Sequence, residues 1–151
     1  MSTTAIQDYY PEQAAVCYGC GRNNPDGLQI KTYWDGTEGV CRYRPRPEHL
    51  AFPGAVYGGL TAALIDCHSV ATAAAALAEQ NGVKLGEDPL PLLVTGTLNV
   101  RFVSPLPVGV EVELQARVEE IKGRKVTVSC SVVADGQERA KGEVVAIQMG
   151  G

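Results

Sequence analysis

An α+β fold, with an antiparallel sheet curled around one long helix, is what this sequence predicts, on three observations. The stretch from Gly58 to Ala78 is apolar almost without a break. The second half of the chain alternates apolar and polar residues in runs separated by Gly-containing turns. Two shorter runs of strand-forming residues precede the apolar stretch.

As a helix, 58 to 78 spans about 30 Å at about 1.5 Å per residue, and a helix apolar on every face belongs in the middle of a fold. A membrane span is disfavoured, because Asp66, His68, Ser69 and two threonines lie inside it and Ala supplies much of its bulk. One helix hides its whole circumference only if the sheet curls around it, and the sheet's remaining edges and faces favour a dimer.

The strands follow from the alternation. Val110 to Glu119, Lys125 to Val132 and Arg139 to Met149 form a meander that turns at Lys122-Gly123 and Asp135-Gly136. Leu92 to Phe102 is a further strand, closed by the two prolines of Ser104-Pro105-Leu106-Pro107. Leu28 to Trp34 and Gly39 to Tyr43 read as a hairpin about Asp35-Gly36, and 81 to 91 reads as loop from its Gly and Pro content.

At 151 residues, with 45% hydrophobic and 20% charged residues, the chain is expected to form one domain, 1–151, with 1–27 as an N-terminal extension. Net charge is −4 and its Lys and Arg residues are scattered, which disfavours nucleic acid as a partner. The N-terminus lacks the basic-then-apolar pattern of an export signal, so a cytoplasmic location is expected. Five cysteines, at 17, 20, 41, 67 and 130, do not make a disulfide framework. Cys17-x-x-Cys20 has the spacing of half a zinc site or of a redox dithiol, but no second CxxC or HxxxH pair completes a tetrahedron and no strand-then-helix context frames a redox pair, so local packing is its expected role and no metal is expected.

Asp66 is the residue that asks for a reason. A lone carboxylate in an apolar helix costs several kcal/mol unless it is paired, protonated or used, and such groups often mark active sites. A structural carboxylate satisfied by backbone donors or a buried partner is the competing reading.

Four local motifs point further. Cys17-Tyr18-Gly19-Cys20-Gly21 through Asn24-Pro25-Asp26-Gly27-Leu28, then Phe52-Pro53-Gly54-Ala55-Val56-Tyr57-Gly58-Gly59, then Asp66, and lastly Thr95-Gly96-Thr97-Leu98-Asn99-Val100-Arg101-Phe102 occur in that order. Together they resemble the acyl-CoA thioesterases of the hot-dog fold, in the branch that includes the phenylacetate-pathway type. The resemblance implies hydrolysis of a small or medium acyl-CoA in a homodimer or dimer of dimers, with partner groups contributed across the interface. Coenzyme A enters as part of the substrate, and no prosthetic group is implied.

Within that resemblance, Asp66 is the general base or the nucleophile. The amides of Gly58 and Gly59, at a helix N-terminus, favour the developing oxyanion. Thr95 stands where a relative's hydroxyl helps hold water or substrate. One departure matters: Tyr57 replaces the usual His before Gly-Gly, and Ala51 replaces an Asn. Tyr57 either keeps a hydrogen-bonding role through its hydroxyl or simply packs. A non-catalytic acyl-CoA-binding protein is therefore the rival reading; a hydratase fits the Asp66-Cys67-His68 order poorly. His68, at i+2 from Asp66, faces elsewhere and reads as a core or interface residue. His49 reads as surface, and Cys67 as a small apolar residue rather than a nucleophile. Lys122, Arg124 and Lys125 cluster at one hairpin, where they are candidates for the coenzyme A phosphates.

Overall fold

The fold is taken from a computed structural model that describes residues 3–150. In chain order the strands and helix are β1 (Tyr33–Trp34), β2 (Glu38–Tyr43), β3 (Leu50–Phe52), β4 (Ala55–Val56), α1 (Gly58–Gln80), β5 (Leu93–Phe102), β6 (Val112–Lys122), β7 (Lys125–Ala134) and β8 (Gln137–Gln148). Six strands make one antiparallel sheet in the order β1-β2-β6-β7-β8-β5, while β3 and β4 form a separate small hairpin. The sheet curls so that α1 packs against β2, β5, β6, β7 and β8 alike.

Alternation fixes which face of the sheet meets the helix. On β7, Val126, Val128, Cys130, Val132 and Ala134 are buried in turn; Val112, Leu114 and Ala116 of β6 do the same. Leu60, Leu64, Ile65 and Ala73 of α1 fill the concave side. Two sheet glycines admit the helix. A Cβ at Gly39 would overlap Thr72 Oγ1, and one at Gly142 would overlap Ile65, so any larger residue would push α1 off the sheet.

Turn chemistry sets the register. Asp135 and Gly136 take φ values of 51° and 71°, the two left-handed residues that a type I′ hairpin requires between paired Ala134 and Gln137. The helix ends as cleanly. Gly82 lies at φ 70°, its N–H donates to Glu79 O at 3.2 Å, and the next N–H, of Val83, donates to Ala78 O at 2.8 Å. These are the paired bonds of a Schellman stop.

Three expectations need correction. The strand expected from Leu28 to Trp34 survives only as Tyr33–Trp34. Gln29 turns left-handed at φ 59°, and the preceding loop takes the segment's donors: Leu28 N bonds Tyr18 O at 2.8 Å and Ile30 N bonds Gly19 O at 3.0 Å. The helix is also not covered all round. It is long and apolar enough to cross a membrane, and 67% of its most apolar window is buried within the fold, but Gly58 and Gly59 are exposed and one stripe is only half covered. His49, expected at the surface, is buried.

Candidate active site

The uncovered stripe of α1 carries Asp66. Ala62, Ala63, Asp66, Cys67 and Val70 are half-buried, while Leu64, Ile65, His68 and Ser69 between them are buried. Spacing of three and four residues puts the first set on one side of the helix. The carboxylate therefore opens onto a cavity instead of being sealed in the core.

β5 returns along this stripe and supplies the partner. Its pairing with β8 slips between Thr95 and Thr97, leaving Gly96 out of the ladder. A Cβ at Gly96 would stand 2.6 Å from Ile147 Cδ1 and 3.1 Å from Val145 O, so a larger residue would have to displace the Ile147 side chain where the bulge folds back onto β8. Bulges re-aim neighbouring side chains, and here Thr95 Oγ1 donates to Asp66 Oδ1 at 2.6 Å. The Thr-Gly-Thr sequence is thus a device for turning one hydroxyl onto the helix.

Asp66 and Thr95 share a cavity of about 250 Å³ with Tyr10, Cys17, Cys20 and Cys67, its far side closed by Pro91 to Val94. The N-terminal residues roof it. Arg22 ties this roof together by donating to Tyr10 O at 2.7 Å and pairing with Glu12. The wall is mostly apolar, which suits an acyl chain better than a charged ligand. Sequence spacing gave no sign that Tyr10 or Cys67 belonged with Cys17 and Cys20; only the fold of the N-terminal segment over α1 joins them.

The other residues expected at the site lie apart from Asp66. Gly58 and Gly59 open α1 and, as its first residues, have no acceptor within the helix for their N–H groups. Asp66 follows two turns later, roughly 12 Å along the axis, so within one chain these amides and this carboxylate do not meet around one carbonyl. The glycine end borders a second, more open apolar hollow formed with Phe52, Phe102 and Leu106.

Tyr57 caps that end. Its backbone is extended, its side chain makes no capping bond, and its ring lies so close to Gly59 that a Cβ there would overlap it. His49 is its neighbour, with ring centroids 6.5 Å apart and Tyr57 N donating to His49 O at 3.1 Å. Burial, helped by the positive Arg46, pushes the His49 imidazole below its ordinary value.

His68 faces away from Asp66, as its spacing required. Its Nε2 lies 3.0 Å from Gly39 O, an acceptor, so Nε2 carries the proton. Nδ1 then accepts from Thr32 Oγ1 at 2.8 Å, and Thr32 in turn accepts from Gln7 Nε2 at 3.0 Å. Burial pushes this imidazole down to about 4. Lys122, Arg124 and Lys125 sit at the β6–β7 turn and line no part of the Asp66 cavity. Lys125 pairs with Ile147, which pairs on its other side with Val94, so the basic turn is at the cavity's end of the sheet but two strands away.

Comparison with known proteins gives the family and the fold. The family model described as thioesterase superfamily matches residues 53–141. A thioesterase superfamily protein from Shewanella loihica PV-4 is 36% identical, with a TM-score of 0.71 over 95% of this chain and 99% of that one. Acyl-coenzyme A thioesterase THEM4 of Xenopus laevis is 34% identical over 93 residues, 62% of this chain but only 36% of that protein's length. The Escherichia coli PaaI protein of the phenylacetic acid degradation operon shares the fold at 16% identity, with a TM-score of 0.67 and 82% of each chain covered. The matched residues run from the turn before α1, through Asp66 and Thr95, into β8, and the chain belongs to the thioesterase superfamily, with its hot-dog fold.

Proposed function

We propose that this protein hydrolyses a small or medium acyl-CoA thioester, with Asp66 as the catalytic carboxylate. The observation that carries the reading is the Thr95–Asp66 hydrogen bond in a cavity with mostly apolar walls. Thr95 occupies Oδ1, and among the described residues no side chain or backbone donor occupies Oδ2. Oδ2 is therefore the oxygen that takes a proton from water, or that attacks the thioester carbon directly. Either way the carbonyl oxygen becomes an oxyanion and needs donors that Asp66 and Thr95 do not supply.

A second copy of the chain is the natural source of those donors. β5 is an edge of the sheet, with Val94, Leu98 and Phe102 exposed along it, and such an edge is a template for pairing. Antiparallel pairing of β5 with its copy, Leu98 opposite Asn99, brings Thr95 opposite Phe102 of the second copy. Phe102 lies against Gly58, 3.2 Å from where its Cβ would stand. Pairing thus carries the Gly58 and Gly59 amides of one subunit to Asp66 of the other, where the positive end of α1 stabilises the oxyanion. The active species is a homodimer, or a dimer of dimers. Lys122, Arg124 and Lys125 are the candidates for the coenzyme A phosphates, and the five unpaired cysteines fit a reducing, cytoplasmic setting.

The test is a panel of aliphatic and aromatic acyl-CoA substrates assayed with a free-thiol reagent. Release of coenzyme A from at least one supports the reading. Calorimetric binding of acyl-CoA with no thiol released from any substrate would replace it by the binding-protein reading that Tyr57 and Ala51 raise.

A further inference from the structure

The cavity wall contains a cluster that thioester hydrolysis does not use. The sulfurs of Cys17, Cys20 and Cys67 all lie within 4.8 Å of one another, with Cys17 and Cys67 at 4.0 Å. They come from two places in the sequence, a bent N-terminal loop and the half-buried stripe of α1, and the loop is built to meet the helix. A Cβ at Gly19 would overlap Cys67 Sγ, and one at Gly21 would overlap Ala15 O and Cys17 N. Gly21 N closes the turn on Cys17 O at 2.8 Å, which leaves both loop sulfurs on the side facing α1.

From this arrangement we infer that Cys17, Cys20 and Cys67 form a three-thiolate site for a thiophilic closed-shell cation of the zinc class, its fourth position directed at the Asp66 cavity. The spacing favours a shared cation over a bond between sulfurs. Metal–sulfur distances of about 2.3 Å put the sulfurs of one tetrahedral ion about 3.8 Å apart, whereas a disulfide needs them at about 2 Å. Cys17 is exposed, so an ion has a way in, while Cys20 is buried and holds its place.

Backbone donors surround one of the sulfurs: the N–H groups of Cys20 and Gly19 point at Cys17 Sγ. Outer donors of this kind orient and stabilise a metal-bound sulfur. On binding, each metal–sulfur bond replaces a thiol proton still present, and those protons leave to solvent. Asp66 lines the same cavity but is not one of the clustered groups, so a water takes the fourth position.

The inference stands apart from hydrolysis and is tested without it. The full-length, reduced and metal-stripped protein is titrated with cobalt(II) as the spectroscopic probe, then with zinc(II). One equivalent of cobalt(II) is expected, with a sulfur-to-cobalt charge-transfer band and the strong visible absorption of tetrahedral coordination, both lost on adding zinc(II). Cys67→Ala and Cys17→Ala should each weaken binding at least tenfold, and Cys17, being exposed, can be replaced without loss of the fold. Cys130→Ala, on β7, should leave the spectrum unchanged. Absence of the charge-transfer band, or its persistence in both cluster variants, overturns the site. So does a Cys17–Cys67 disulfide seen by mass spectrometry in protein that takes up no metal after reduction.

Discussion

Thr95 Oγ1 and Asp66 Oδ1 stand 2.6 Å apart, a bond between the edge strand and the central helix that exists because β5 bulges at Gly96. The hydroxyl donates, so it holds the carboxylate in one orientation and leaves the other oxygen toward the cavity. In the proposed mechanism Thr95 is a positioning residue for Asp66. Thr95→Val keeps the shape and removes the donor. It is expected to lower kcat by roughly tenfold, corresponding to about 1.4 kcal/mol, with KM little changed. An unchanged kcat would mean that Asp66 needs no holding.

The Tyr57 ring rests on Gly59, which ties the departure from the family pattern to the proposed oxyanion donors. Tyr57→Phe should leave the thermal midpoint nearly unchanged, since only one oxygen is removed, and should lower kcat/KM by about tenfold if the hydroxyl orients the thioester. Gly59→Ala displaces the ring and should lower both activity and the thermal midpoint. Silence of Tyr57→Phe together with a gain in Tyr57→His would make Tyr57 a packing residue.

His68 gives the fold a dependence on pH. Its ordinary value of 6.5 is pushed down to about 4 by burial, so between these values the unfolded chain holds a proton that the folded chain does not. Its contribution is complete above pH 6.5 and is lost as pH falls toward 4, by about 3 kcal/mol in all. Urea melts at pH 7, 5.5 and 4 should show this decline, and His68→Gln should flatten it after the shared carboxylate titration is subtracted. Equal slopes in both proteins would place the pH dependence elsewhere.

Much of this was legible in the chain because it depends on local pattern. The period-2 runs of β6, β7 and β8, the Asp135-Gly136 turn and the nearly continuous apolar run of α1 each report a nearest-neighbour rule, and the family motifs drew attention to both Asp66 and Thr95. What was hidden depends on long-range contact. Leu28 to Thr32 has strand composition, but the 17–21 loop captures its donors. His49 reads as a loop residue beside Glu48, yet Tyr43 and Tyr57 enclose it, with the Tyr43 ring stacked at 6.4 Å. Cys67 joins Cys17 and Cys20 only because the N-terminal segment crosses the helix, a contact fifty residues apart in sequence.

The β5 edge gives the quaternary prediction. Light scattering at micromolar concentration should find at least a dimer, about twice the 16.0 kDa chain. Leu98→Arg, placed at the centre of the proposed pairing, should shift the protein toward monomer and remove activity while circular dichroism stays native. A wild-type monomer with full activity would contradict the shared site.

The most direct test of the account is coenzyme A release by purified Asp66→Asn set beside wild type, on whichever acyl-CoA the wild type cleaves fastest. Asn keeps the shape and can still accept from Thr95, but serves neither as base nor as nucleophile, so turnover should fall by about a thousandfold or more, about 4 kcal/mol, with the thermal midpoint little changed. Wild-type rates in a variant shown by mass spectrometry to be free of deamidation would contradict the catalytic role of Asp66.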